Sequence, residues 1–82
     1  MPVAEVPDEL IKLERSAEEE RAKLAGLDGE EYEAQLRRWR EAAEAVQAAV
    51  TAHAAATGTS RFELEKSVKE ALRHAQEDPA VE

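Results

Sequence analysis

Apolar residues recur through the middle of the chain at alternating steps of four and three residues, from the turn signal at Asp28 to the one at Gly58. This spacing is the a/d heptad register of a helix with one narrow apolar seam, here about four heptads long. The seam consists of Tyr32, Leu36, Trp39, Ala43, Val46, Val50, His53 and Thr57. The pattern predicts a central helix over residues 29–57, which would be about 43 Å long. The rest of the chain is expected to cover its seam.

Shorter apolar stripes predict one helix before the central helix and one after it. The first is expected over 8–25, since proline and an acidic residue suit the first turn of a helix. Its heptad places Glu20 at a seam position, where a polar side chain either fixes the register of the helices or turns outward. The third helix is expected over 61–77, and the proline at 79 stops it. Its inward stripe is Leu64, Val68, Ala71, Leu72 and Ala75, and Glu65–Lys69 and Lys66–Glu70 are expected ion pairs on its outer side.

Both connections between the predicted helices carry capping signals. Gly26 fits the left-handed residue that ends a helix, and Asp28 with Glu31 fits a capping box. At the second connection Gly58 fits a helix end, and Ser60 followed by Glu63 again fits a capping box. A connection as short as the first makes its two helices antiparallel neighbours.

These elements predict an all-α fold, either an antiparallel three-helix bundle or a helical hairpin, with a long central helix. The whole chain is expected to be one small domain, with flexible tails at 1–6 and 79–82. A compact domain of 82 residues has a radius of gyration of roughly 12 Å. The central helix is longer than such a compact domain is wide. The fold is therefore expected to be elongated, with part of the apolar seam exposed and available for self-association.

Composition strengthens the case for association. Apolar residues make up 43 % of the chain, but 17 residues are alanine, so the large side chains available for a core are few. The chain has no cysteine for a disulfide or a thiolate metal site, which leaves oligomerisation as a common source of extra stability. Alanine occupies nearly every side of the central helix from Ala42 to Ala56, which reflects either helix propensity or an assembly contact. The candidate interface consists of Trp39, Val46, Ala49, Val50, His53 and Ala56.

The charge of the chain and its candidate chemical groups argue against several classes of function. The net charge is −8 and no segment is basic, which argues against nonspecific nucleic-acid binding and anionic membranes. We expect a cytoplasmic protein, since neither a leader nor a spanning segment is evident, and the Ala/Glu/Arg bias suggests a bacterial one. The chain has no cysteine, its serines have no nearby histidine in an organised loop, and it lacks a phosphate loop, so no enzymatic activity is expected. His53 is interpreted as structural or as a pH-sensitive contact, and Glu70, His74 and Glu77 have only weak metal-site spacing.

The favoured function is therefore a non-enzymatic protein–protein interaction module that forms homo-oligomers through the central helix or binds another helical protein. The alternative is a small acidic transcription-linked or antitoxin-like regulator that binds a basic protein or DNA. Residues 54–64 resemble the helix–turn–helix half of ribbon-helix-helix regulators. Such regulators read DNA with a β-strand that precedes the first helix. In this chain the position of that strand corresponds to residues 36–40, which lie inside the predicted central helix.

Overall fold

The computed structural model describes residues 6–77, which form three helices connected by two short turns. The helices are α1 (Asp8–Ala22), α2 (Gly29–Thr57) and α3 (Arg61–Glu77), and residues 6–77 include no strand. The predicted all-α class is confirmed, with the expected bounds for α2 and α3. Of the residues assigned to tails, only Val6 lies within the described part of the chain.

Helix α1 ends earlier than its predicted end at residue 25, because the chain tightens into turns after Ala22. The amide groups of Leu24 and Ala25 donate to the carbonyl oxygens of Arg21 and Ala22, three residues back, at 3.0 and 3.2 Å. Such i→i−3 bonds are common where a helix frays into a tighter turn. Gly26 then has a φ of 85°, the left-handed conformation that its position predicts.

The two capping boxes have different outcomes. At the start of α3 the Ser60 hydroxyl accepts a hydrogen bond from the Glu63 amide at 3.4 Å, so this cap is confirmed. At the start of α2, Asp28 occupies the N-cap position but its side chain makes no cap hydrogen bond. The reason is Gly29, whose φ of 62° departs from the helical φ that a capped first residue needs.

The core forms where α1, α2 and α3 meet. Its buried apolar residues are Leu10, Ala17, Val46, Val50, Ala54, Leu64, Val68 and Leu72. Along α2 the buried positions advance by four residues, from Val46 to Val50 to Ala54, instead of following the heptad onward to His53 and Thr57. A straight α-helix has 3.6 residues per turn, so a strict heptad drifts round its surface. The predicted seam therefore coincides with the buried side of α2 only in the middle of the helix. Near the two ends of α2, the seam residues Tyr32 and Thr57 are exposed.

The molecule is thin and elongated. Its radius of gyration is 14.6 Å and its extents are 48 × 37 × 16 Å, so the predicted elongation is confirmed. Only four of the 29 residues of α2 are buried, so the long central helix has a large solvent face.

Candidate functional site

The structure divides the six candidate interface residues between the core and the surface. Val46 and Val50 are 6 % and 1 % exposed, and they pack inside the chain's own core. Trp39, Ala49 and His53 are half-buried, and Ala56 is exposed. A second chain therefore has access to Ala56 and to parts of three others, but not to the two valines that lie nearest the middle of the seam.

The accessible surface of α2 changes character along its length. The five exposed alanines of its second half, Ala45, Ala48, Ala52, Ala55 and Ala56, form what we call the alanine face. No Asp, Glu, Lys or Arg occurs between Ala45 and Thr57, although 37 % of the whole chain is charged. In the first half of α2 the corresponding exposed positions are charged: Glu30, Glu33, Arg37, Glu41 and Glu44.

His53 lines an open groove between the beginning of α1, the end of α2 and the beginning of α3. The groove has a volume of about 640 Å³, and Asp8, Thr57, Thr59 and Leu64 also line it. The Thr57 hydroxyl donates to the carbonyl oxygen of His53 at 2.9 Å and shares a 2.8 Å hydrogen bond with the Thr59 hydroxyl. Both hydroxyl groups are therefore already engaged in local hydrogen bonds at the end of α2.

No metal centre is evident in the part of the chain that the structure describes, where no three His, Cys, Asp or Glu side chains form a group that could hold an ion. The weakly predicted trio Glu70, His74 and Glu77 includes Glu77, whose side chain lies outside the described part. Helices that are both long enough and apolar enough to cross a membrane are likewise absent from residues 6–77.

Polar contacts between helices are the main feature that the sequence reasoning missed. Gln35 is 4 % exposed, and its Nε2 donates to the carbonyl oxygen and to Oε1 of Glu20, both at 2.7 Å. Of the two alternatives for Glu20, the structure shows the inward one, in which the polar seam residue holds α1 against α2. The hydrogen bond from Gln35, followed by the nearby charge of Lys23, holds the pKa of Glu20 below its ordinary value.

The other two helix pairs have polar contacts of their own. Between α1 and α3, Lys69 Nζ donates to Oε2 of the buried Glu14 at 2.7 Å. Between α2 and α3, Arg61 donates to Gln47. The predicted pair Glu65–Lys69 is thereby replaced, since Glu65 pairs with Arg61 at 2.5 Å. A signal for Glu14 was present in the sequence, because it lies four residues after Leu10 and three before Ala17, on the face that α1 buries.

Comparisons with protein families, with curated proteins and with solved structures returned no match for this chain. The function must therefore be argued from the geometry of its surfaces.

Proposed function

We propose that this chain is a non-enzymatic protein–protein interaction module that forms homo-oligomers through the alanine face of α2. The observation that carries the proposal is the uncharged, solvent-exposed second half of this helix in a chain that is otherwise densely charged. An amphipathic helix on the surface of a monomer normally presents charged or polar residues to water along its whole length. Here charged residues fill nearly all of the exposed positions from Glu30 to Glu44, whereas from Ala45 to Thr57 charged residues are absent and most exposed positions are alanine.

Small side chains are well suited to such a contact. Alanine lets two helix backbones approach closely and loses no side-chain rotamer entropy when it is buried. The face from Ala45 to Ala56 is about 17 Å long, so a second helix can pack along three turns of it. Glu44 lies at one end of the face and Gln47 and Thr51 lie beside it, which gives the contact a polar rim.

The limited core provides a second reason for association. Among the described residues, Leu64, Val50 and Val68 are the largest side chains that are fully buried. A chain of this size buries only about 60 % of its unfolded surface, so additional burial between copies contributes a useful fraction of the total stability. The interface differs from the sequence-based one in that Val46 and Val50 stabilise the monomer, while the alanines on the opposite side of α2 meet the second copy.

Sedimentation velocity over a range of micromolar concentrations tests this proposal. The wild type is expected to associate reversibly, and Ala52→Glu is expected to be monomeric, because each copy would place a carboxylate in the apolar contact. Ala75→Glu is the matched control, since Ala75 is an exposed alanine in the last part of α3, away from the alanine face. A wild type that stays monomeric at all concentrations would refute the proposal, as would Ala52→Glu that associates like the wild type.

A further inference from the structure

Phe62, in the first turn of α3, is the most exposed large apolar side chain in the described part of the chain. It is 74 % exposed, whereas Tyr32, the next such residue, is 37 % exposed. Aromatic rings are enriched at protein contacts, where a ring covered by the partner often contributes much of the binding energy. A single exposed ring is nevertheless common on a protein surface, so its meaning depends on the residues around it.

The residues that share a helix face with Phe62 are basic. Three of them follow Phe62 at steps of four, three and four, so all four residues lie along one face of α3. This face is separate from the one through which α3 joins the core, and all four side chains are exposed. We call this face the basic stripe, and it consists of Phe62, Lys66, Lys69 and Arg73.

The acidic residues of α1 that border the basic stripe already have partners within the chain. Glu14 and Glu18 line a cleft between α1 and α3 together with Lys69 and Arg73. Oε2 of Glu14 accepts a hydrogen bond from Lys69 at 2.7 Å, and Oε1 of Glu18 accepts one from Arg21 at 3.1 Å. The positive charge of Lys69 is therefore largely balanced, whereas the guanidinium of Arg73 is not paired with either carboxylate.

Lys66 and Arg73 are the two cations of the basic stripe that a partner can use. Neither forms an ion pair with any other side chain of residues 6–75. A lysine ammonium binds a carboxylate as a point charge, and the planar arginine fork can bind one through two parallel hydrogen bonds. Together with Phe62 they combine an apolar contact with two sites for carboxylates, so charge complementarity favours an acidic partner.

The size and setting of the basic stripe favour a short acidic segment over an extended polyanion. From Phe62 to Arg73 the stripe is about 16 Å long, which five residues of extended chain or three turns of a helix would cover. Glu63 and Glu70 lie on the neighbouring side of α3, and the whole chain carries a net charge of −8. A long nucleic acid or an anionic membrane would therefore be repelled wherever it extended beyond the stripe.

We propose that the basic stripe is a docking surface for a short acidic segment of a different protein. Carboxylates of the segment pair with Lys66 and Arg73, and an apolar side chain between them covers Phe62. The inference goes beyond the proposed function and does not depend on it, because α3 packs on the side of α2 that carries Val50 and the alanine face lies on the opposite side. Copies that associate through the alanine face would keep their stripes accessible, so one assembly would bind several acidic segments.

Selection from a phage-displayed library of random peptides on the immobilised full chain tests the proposal. Peptides of about 12 residues are long enough to cover the stripe as a helix or as a strand. The selected peptides are expected to be enriched in Asp and Glu beside an apolar residue. Fluorescence anisotropy with synthetic copies of them then measures Kd at low salt. Phe62→Ala and Lys66→Glu/Arg73→Glu are each expected to raise Kd by about tenfold or more. The matched control Lys12→Glu/Arg40→Glu makes the same charge change at exposed positions outside the stripe and should stay within about twofold of the wild type.

A charge-swapped peptide supplies the second readout. Replacing the acids of a selected peptide by lysine is expected to abolish its binding to the wild type and to restore binding to Lys66→Glu/Arg73→Glu. The proposal is overturned if no peptide is selected, if the selected peptides are not acidic, or if the swapped peptide is not rescued. It is also overturned if Lys66→Glu/Arg73→Glu loses self-association, or if duplex DNA or phosphatidylserine vesicles bind through the stripe and acidic peptides do not. A wild type that is monomeric but binds acidic peptides through the stripe refutes the proposed function and supports this inference.

Discussion

Leu64 and Phe62 lie two residues apart at the beginning of α3 and have opposite environments, which makes them a matched pair for testing the structure. Leu64 is 1 % exposed and Phe62 is 74 % exposed. We expect Leu64→Ala to destabilise the fold strongly and Phe62→Ala to leave it nearly unchanged, although phenylalanine is the larger side chain.

The magnitudes follow from burial. Truncating Leu64 removes about three buried carbon groups at ~0.8 kcal/mol each, and the cavity raises the cost to about 3–4 kcal/mol. Phe62 has roughly a quarter of its side chain covered, which corresponds to ~0.5 kcal/mol, and the better helix propensity of alanine offsets a similar amount. A chain of this length has a total stability of about 4–12 kcal/mol. Leu64→Ala is therefore expected to lower Tm by at least 12 °C or so, and Phe62→Ala by only a few degrees at most.

Urea denaturation measures both variants directly. Circular dichroism reports helix content, and the fluorescence of Trp39, the one tryptophan of the chain, reports packing of α1 on α2. The measurements should be made at protein concentrations where sedimentation shows only monomer, so that loss of association does not contribute to the measured free energy of unfolding. Equal destabilisation by the two substitutions would refute the burial argument.

Two further predictions concern the polar contacts between helices. Because the pKa of Glu20 is lowered in the fold, its charge contributes stability that is present above its unfolded value of about 4.5 and is lost as the pH falls through the folded value. The difference in free energy of unfolding between wild type and Glu20→Gln should therefore shrink on acidification, and a difference that does not change with pH would contradict this account. Lys69→Met leaves the buried Glu14 without its cation and is expected to cost about 1–2 kcal/mol by urea denaturation, whereas Lys66→Met should be neutral. Replacing both partners, as in Glu14→Leu/Lys69→Met, should recover most of that loss, and failure to recover it would mean that the ion pair itself is strongly stabilising.

Much of the fold could be predicted from local patterns in the sequence. The steps of four and three around Trp39 and Val46 predicted the long helix, and the glycines at 26 and 58 marked its two connections. The bounds of α2 and α3 followed because glycine in the left-handed conformation and a serine cap act through neighbouring backbone groups, whose positions depend on the local chain alone. The end of α1 was less accurate, since a helix that tightens gradually into turns carries no single residue that stops it.

The candidate interface was harder to predict than the helices. A heptad register identifies the apolar side of α2, but it does not say whether that side meets another part of the same chain or a second chain. In the structure α1 and α3 cover Val46 and Val50, and the uncharged surface that remains exposed is the alanine face on the other side of the helix. Likewise, nothing in the local pattern around Gln35 showed that it would be buried, because its burial depends on the helix that packs against it.

The sequence by itself determined the class of fold, the lengths of α2 and α3 and the elongated form, because helix propensity, capping and apolar periodicity operate over a few residues at a time. Only the tertiary structure decided which apolar residues are core and which are surface. Which residues become core depends on how the three helices pack around a limited set of large side chains. The contacts Glu20–Gln35 and Glu14–Lys69 help to set the relative positions of these helices. The same packing buries Leu64 and leaves Phe62 in water, two residues away on the same helix.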